Sequence, residues 1–168
     1  MITPSAPILV TGGAGYIGSH TVRLLAGQGR KIVVLDNLVF GHDQAIVDPG
    51  VELVVGDVGD QELVRSLFEK HGFGAVIHFA AYAYVGESVT NPLKYYQNNT
   101  AEPIKLLQVM QEFGCKVFVF SSTCATYGVP DKLPITETNQ QDPINPYGRS
   151  KLMVEWILKD CGHAWGLR

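Results

Sequence analysis

Tyr147 and Lys151 stand four residues apart in Asn145-Pro-Tyr-Gly-Arg-Ser-Lys151. That spacing puts both side chains on one face of a helix. A free phenol titrates near 10 and is a poor base at neutral pH. A neighbouring ammonium, or a positively charged nicotinamide ring, favours the phenolate and makes tyrosine a usable proton acceptor. Taken alone, the same spacing also describes a surface tyrosine and lysine on an amphipathic helix. The residues upstream separate the two readings. An apolar run ends in Ser121-Ser122-Thr123, and hydroxyls at a strand's carboxyl end sit where open α/β sheets bind ligands. The Thr123 hydroxyl could bond a substrate hydroxyl and align it with Tyr147. The alternative for Thr123 is a strand-end cap.

Further upstream, the run to Val10 leads into Thr11-Gly12-Gly13-Ala14-Gly15-Tyr16-Ile17-Gly18. The spacing Gly12-x-x-Gly15-x-x-Gly18 is a variant of the dinucleotide fingerprint. In that pattern Gly12 permits a tight turn, Gly15 lets backbone approach a pyrophosphate, and Gly18 lets helix and strand pack closely. The helix that follows offers free N–H groups and a partial positive charge to phosphate. Asp36 lies about 20 residues on, where a carboxylate accepts from ribose hydroxyls and repels a 2′-phosphate. No Lys or Arg falls between Lys31 and Arg65, so the pattern favours NAD over NADP. Asp57, in Gly56-Asp57-Val58, could reach the adenine edge or simply form a turn.

These residues need elements to position them. Short β-branched runs occur at Pro7–Val10, Lys31–Leu35, Val51–Val55, Ala75–Phe79 and Val117–Phe120. They are continuous rather than alternating, as in strands buried on both faces of a parallel sheet. Helices are predicted at about 16–28, 61–71, 92–113 and 146–160. Asp60 and Asn91 stand as N-caps, Pro92 at N1, and Gly72 and Gly114 as C-terminal glycines. Residues 128–145, with Pro130, Pro134 and Pro143, read as a long loop. Strand–helix alternation of this kind predicts an α/β fold, a Rossmann-type doubly wound parallel sheet.

Composition narrows the function classes. The chain has 168 residues, 46% hydrophobic, with 13 Lys plus Arg against 16 Asp plus Glu and a net charge of -3. One domain is expected at that length. The balance gives no electrostatic grip on nucleic acid. No apolar run approaches the roughly 18–20 residues of a membrane span. Met1–Ser5 lacks the charged start of an export signal. Cys115, Cys124 and Cys161 form no CxxC pair, which points to a reducing, cytoplasmic setting. The five histidines show no metal-ligand spacing. His78 reads as a buried, hydrogen-bonded histidine, Cys124 as a packing residue and Tyr127 as structural.

With these residues assembled, the chain resembles the extended short-chain dehydrogenases/reductases, and within them the UDP-glucose 4-epimerase family. The matching motifs are Val10–His20, Leu35-Asp-Asn-Leu38, Gly56-Asp57, His78-Phe-Ala-Ala81, Val85-Gly-Glu-Ser-Val89, Tyr95-Tyr-Gln-Asn-Asn99, Phe120–Gly128 and Asn145–Lys151. The resemblance implies NAD as cofactor and a UDP-sugar, UDP-glucose or UDP-galactose, as substrate. It implies that Tyr16 and Ile17 hold the pyrophosphate and that Asp36, Asn37, Leu38, Val39, Phe40 and Gly41 hold the adenosine ribose. Asp57 and Val58 would flank adenine. Phe79, Ala80, Ala81 and Asn98 would line the cofactor. Thr123 would bind substrate, Tyr147 would be the base, and Lys151 would bind the nicotinamide ribose and tune Tyr147. The implied chemistry is redox-neutral: O4 yields a proton to Tyr147 and C4 a hydride to NAD, the 4-ketose turns over, and both return to the other face.

The resemblance also implies a homodimer built on the helices at 92–113 and 146–160, and a C-terminal substrate domain. On this reading residues 1–168 are an NAD-binding Rossmann domain without that second domain, which binds NAD weakly or not stably and turns over little. Family members often carry lysine where Ala83 stands, so a UDP-pentose 4-epimerase remains an alternative. A nucleotide-sugar 4,6-dehydratase is disfavoured, because Thr123–Gly128 contains no carboxylate. A dinucleotide-binding fragment without activity is the non-enzymatic alternative.

Overall fold

The computed structural model describes residues 6–168. Met1–Ser5, whose composition was weighed against an export signal, lies outside the described residues. Five parallel strands form one sheet in the order β3-β2-β1-β4-β5. They are β1 (Ile8–Thr11), β2 (Ile32–Asp36), β3 (Glu52–Val55), β4 (Ala75–His78) and β5 (Phe118–Phe120). The strand order reverses between β1 and β4, so a crevice opens there at the carboxyl ends of the strands.

Successive strand residues point to opposite faces, and two cores result. Ile8, Val10, Ile32, Val34 and Ala75 pack with Val22 of α1 (Tyr16–Gly27) on one face. Leu9, Val33, Leu35, Val76 and Phe118 pack on the other with α2 (Gln61–His71) and α5 (Glu102–Glu112). Ile157, Leu158, Cys161 and Trp165 of α6 (Pro146–Trp165) close that second core. The continuous apolar runs follow from burial on both faces. The two edge strands are the exceptions, β3 with Glu52 and Val55 exposed and β5 with Val119 exposed. On the far side of β5, Arg168 N–H donates to Lys116 O at 2.8 Å, and Phe118 N–H donates to Arg168 O at 2.9 Å.

Asp60 caps α2 as expected, its carboxylate accepting from Leu63 N at 3.0 Å. Gly72 and Gly114 adopt positive φ just past α2 and α5. The predicted helix 92–113 is not continuous. It divides into α4 (Pro92–Tyr96), a π-helical turn (Gln97–Ala101) and α5. Pro103 explains the break. It has no N–H to give the Asn99 carbonyl, and its ring would strike that carbonyl in an α-helix; a wider turn relieves both. Asn91 precedes α4, but its side chain makes no capping bond. The short α3 (Val85–Thr90) lies between β4 and α4 and is unanticipated. Residues 128–145 are a loop, as expected.

Candidate functional site

One cleft runs along the carboxyl ends of the strands, in two arms that share Gly12, Gly15, Phe40, Phe79 and Ala81. The first arm, 580 Å³, adds Asp36, Asn37, Val39, Gly41, Asp57, Val58, Ala80 and Asn98. The second adds Tyr16, Ile17, Gly18, Ser121, Ser122, Tyr147 and Lys151. Nearly every residue named from sequence therefore meets in one place. Tyr82, Ala83 and Tyr84 also line it.

The glycine turn is built by close approach. Gly12 has φ +69, and a Cβ there would lie 2.4 Å from Ala80 N, so only glycine lets β1 turn against the exit of β4. A Cβ at Gly18 would lie 2.2 Å from Gly12 O, inside the turn itself. Gly15 meets only Gly12 O, at 3.3 Å, so its missing side chain leaves open space over the α1 N-terminus. No side chain caps that terminus and its first turn holds no acid. Its free N–H groups thus remain available to an anion.

The Asp36 carboxylate, 7% exposed, accepts from Ala14 N on one oxygen and from Leu38 N on the other, both at 2.9 Å. It locks the glycine turn to the loop after β2. An ionised carboxylate has about four acceptor sites, so two remain for ribose hydroxyls. Leu38 itself does not line the cleft. It takes φ 58, a strained region for a side-chain-bearing residue, and serves through its backbone N–H. Asp57 proves to be a turn residue and a cleft residue at once: it accepts from Gly59 N at 2.8 Å and from Asn37 Nδ2 at 3.0 Å.

Local sequence fixes the Tyr147 turn. Asn145 caps α6 through Gly148 N at 2.8 Å, with Pro146 at N1. Gly148 is buried against the 124–127 turn, where a Cβ would lie 2.6 Å from Ala125 O. Tyr147 is half-buried, its ring edge-on to the buried Tyr95 at 6.5 Å. Lys151 is 3% exposed and donates to Ser121 O at 2.9 Å. Burial pushes its ammonium down from 10.5 to about 8, so it is still mainly charged at neutral pH. A lysine has three donors, and one is used in the described hydrogen bonds.

Thr123 caps the turn after β5, its hydroxyl accepting from Ala125 N at 3.1 Å. It lines an adjoining groove rather than either arm. Ser121 and Ser122 stand in the arm with Tyr147 instead. Cys124 is exposed, which corrects the packing reading. His78 is buried and bonded to Thr11 Oγ1 at 2.7 Å, as expected.

The NAD dependent epimerase/dehydratase family matches residues 8–168. The chain belongs to that family. An epimerase/dehydratase relative from Streptococcus mutans, called UDP-glucose 4-epimerase, is 56% identical over 163 residues, which are 96% of this chain and 49% of the relative. UDP-arabinose 4-epimerase 1 of Arabidopsis thaliana is 47% identical over 161 residues, 91% of this chain and 38% of its own. The crystal structure of UDP-glucose 4-epimerase from Brucella ovis in complex with NAD superposes with a TM-score of 0.94 at 52% identity, covering 98% of this chain and 50% of that one. The chain spans about half the length of the curated relatives it matches. Among the described residues no helix is long and apolar enough to cross a membrane.

Proposed function

We propose that this chain is the dinucleotide-binding and proton-transfer unit of a UDP-glucose 4-epimerase, interconverting UDP-galactose and UDP-glucose in cytoplasmic galactose metabolism. One observation carries the reading: the Asp36 arm and the Tyr147–Lys151 arm are continuous through Gly12 and Gly15. The residues fit NAD on four counts. The α1 N-terminus is uncapped, Gly15 leaves room over it, Asp36 keeps acceptor sites, and Lys151 keeps unused donors.

When bound, NAD supplies a hydride acceptor for the sugar carbon. The chain's own residues do the rest. Asp36 orients a ribose through its free acceptor sites and excludes a 2′-phosphate by charge. The N–H groups of Tyr16 and Ile17 meet the pyrophosphate. Tyr147 Oη takes the proton of the sugar O4 and later returns it. The Lys151 ammonium, one turn along α6, favours the phenolate and gives its remaining N–H groups to the nicotinamide ribose. Thr123 caps the 124–127 turn through its oxygen and keeps its hydroxyl proton to donate to the sugar beside Tyr147.

A second reading, a UDP-pentose 4-epimerase, draws support from the Arabidopsis relative. A homodimer is part of the proposal, on the segment from α4 to α5 and on α6.

The test measures UDP-glucose formed from UDP-galactose with added NAD. The 168-residue chain is assayed alone and supplemented with the C-terminal half of the Streptococcus mutans relative. Turnover that Tyr147→Phe abolishes is expected. Turnover that survives Tyr147→Phe, or absence of NAD binding by calorimetry even with the C-terminal half added, overturns the reading. Running UDP-arabinose alongside decides between the two sugars.

A further inference from the structure

Lys151 carries its charge into the protein without a carboxylate partner. Among the described residues no ion pair includes it. Its Nζ meets the Ser121 carbonyl and, 4.7 Å from the ring centroid, the face of Phe120. Phe120 ends β5, so the ring and the carbonyl that receive the ammonium belong to adjacent residues. The ring is one of three near-parallel rings packed side by side. It stacks on the His78 imidazole at 6.0 Å and 17° and on Phe118 at 6.4 Å and 21°. His78 is fixed in turn by Thr11 Oγ1. Three neighbouring strands, β1, β4 and β5, thus set the orientation of one ring.

A ring differs from a carboxylate in one respect that matters here. An anion beside Lys151 would cancel the field that draws a proton off Tyr147. A ring quadrupole attracts the cation and adds no net charge. We propose that Phe120 is a positioning residue whose ring face takes the place of a counter-ion, keeping the Lys151 ammonium charged and seated beside Tyr147. Its use in catalysis rests on the epimerase reading; the seat is a property of this chain alone.

The titratable groups on the elements packed around Lys151 are few. β4 brings His78, which desolvation, and secondarily Lys151, holds down at about 3 and so neutral. α6 brings Tyr147, Arg149 and Glu155, the last bonded to Ser122 and Gln141. α4 brings Lys94 and Tyr95, which both donate to Glu87 of α3, and Tyr96. The 124–127 turn brings Cys124 and Tyr127.

The experiment reads the titration of Lys151 itself by carbon-13 NMR, in the 168-residue chain labelled at lysine Cε. The resonance absent from Lys151→Arg identifies it. At position 120, phenylalanine is exchanged for 4-fluoro-, 3,5-difluoro- and 3,4,5-trifluorophenylalanine, which drain the ring face while nearly keeping its shape. The midpoint is expected to fall with each fluorine, by about one unit across the series. Phe120→Tyr should keep the wild-type midpoint and Phe120→Leu should fall furthest. A midpoint indifferent to fluorination overturns the proposal, even where Phe120→Leu does not fold. The tube holds neither NAD nor sugar, so the result stands apart from the epimerase assay.

Discussion

Asn99 donates from Nδ2 to the Ser150 hydroxyl at 3.2 Å, and both side chains are buried. Ser150 Oγ donates onward to the Tyr147 carbonyl at 2.7 Å. On its other side Asn99 accepts from Tyr82 N at 2.9 Å and donates to Tyr82 O at 3.0 Å. One amide, projecting from the π-helical turn, thereby ties the cleft wall after β4 to the turn that carries Tyr147. Removing it leaves both Tyr82 backbone groups without a partner. Each unsatisfied buried group costs about 1–3 kcal/mol. Asn99→Ala is therefore expected to lower stability by about 2 kcal/mol in urea unfolding and to speed exchange of the Tyr82 amide. A variant with wild-type stability and protection would show that the bridge carries nothing.

Asp36 holds two backbone segments together, and Asn cannot do the same. Rotated either way, an asparagine amide sets its NH₂ against Ala14 N–H or Leu38 N–H. The Leu38 turn, already at φ 58, loses its support. Hydrogen bonds to charged groups are worth about 1.5–3 kcal/mol, so Asp36→Asn should weaken NAD binding at least tenfold by calorimetry. Equal affinity would take Asp36 out of the ribose site.

The glycine turn, Asp36 and the Tyr147–Lys151 pair were legible in sequence because their chemistry is local: each motif spans a few residues and its spacing is its geometry. The doubly wound parallel sheet followed from β–α alternation, whereas its strand order, β3-β2-β1-β4-β5, is set by pairings distant in the chain. What stayed hidden depends on partners distant in the chain. Asn99 meets Ser150 across 51 positions and Lys151 meets Ser121 across 30. The break before α5 has its cause in Pro103, but a single proline does not tell from sequence whether a helix ends or only widens there. The place of Thr123 after β5 points it to substrate; that its oxygen also accepts from Ala125 N depends on the fold of the 124–127 turn.

Lys151 burdens the fold that it serves. Its folded value, about 8, lies below the ordinary 10.5 because burial disfavours the charge. Between those values the unfolded chain binds more protons, so stability rises with pH. Below pH 8 the full penalty stands, at most about 3 kcal/mol. Lys151→Met should accordingly be more stable than wild type at pH 7, with the advantage shrinking between pH 8 and 10.5, and should lose turnover. A variant that is less stable at pH 7 would mean that the ammonium's contacts outweigh its desolvation.

His78 produces the opposite limb of the pH profile. Burial first, and Lys151 second, depress its value from 6.5 to about 3. As pH falls from 6.5 toward 3, the unfolded chain takes up a proton that the folded chain refuses, so stability is lost across that window and levels off below it. The loss should reach the order of 4 kcal/mol. His78→Gln keeps a group able to bond Thr11 Oγ1 and cannot titrate. Its urea-unfolding free energy should therefore fall less steeply than wild type between pH 6.5 and 3. Parallel curves for the two proteins would show that His78 titrates alike in the folded and unfolded chain, and with it that in acid a second positive charge joins Lys151 beside the Phe120 ring.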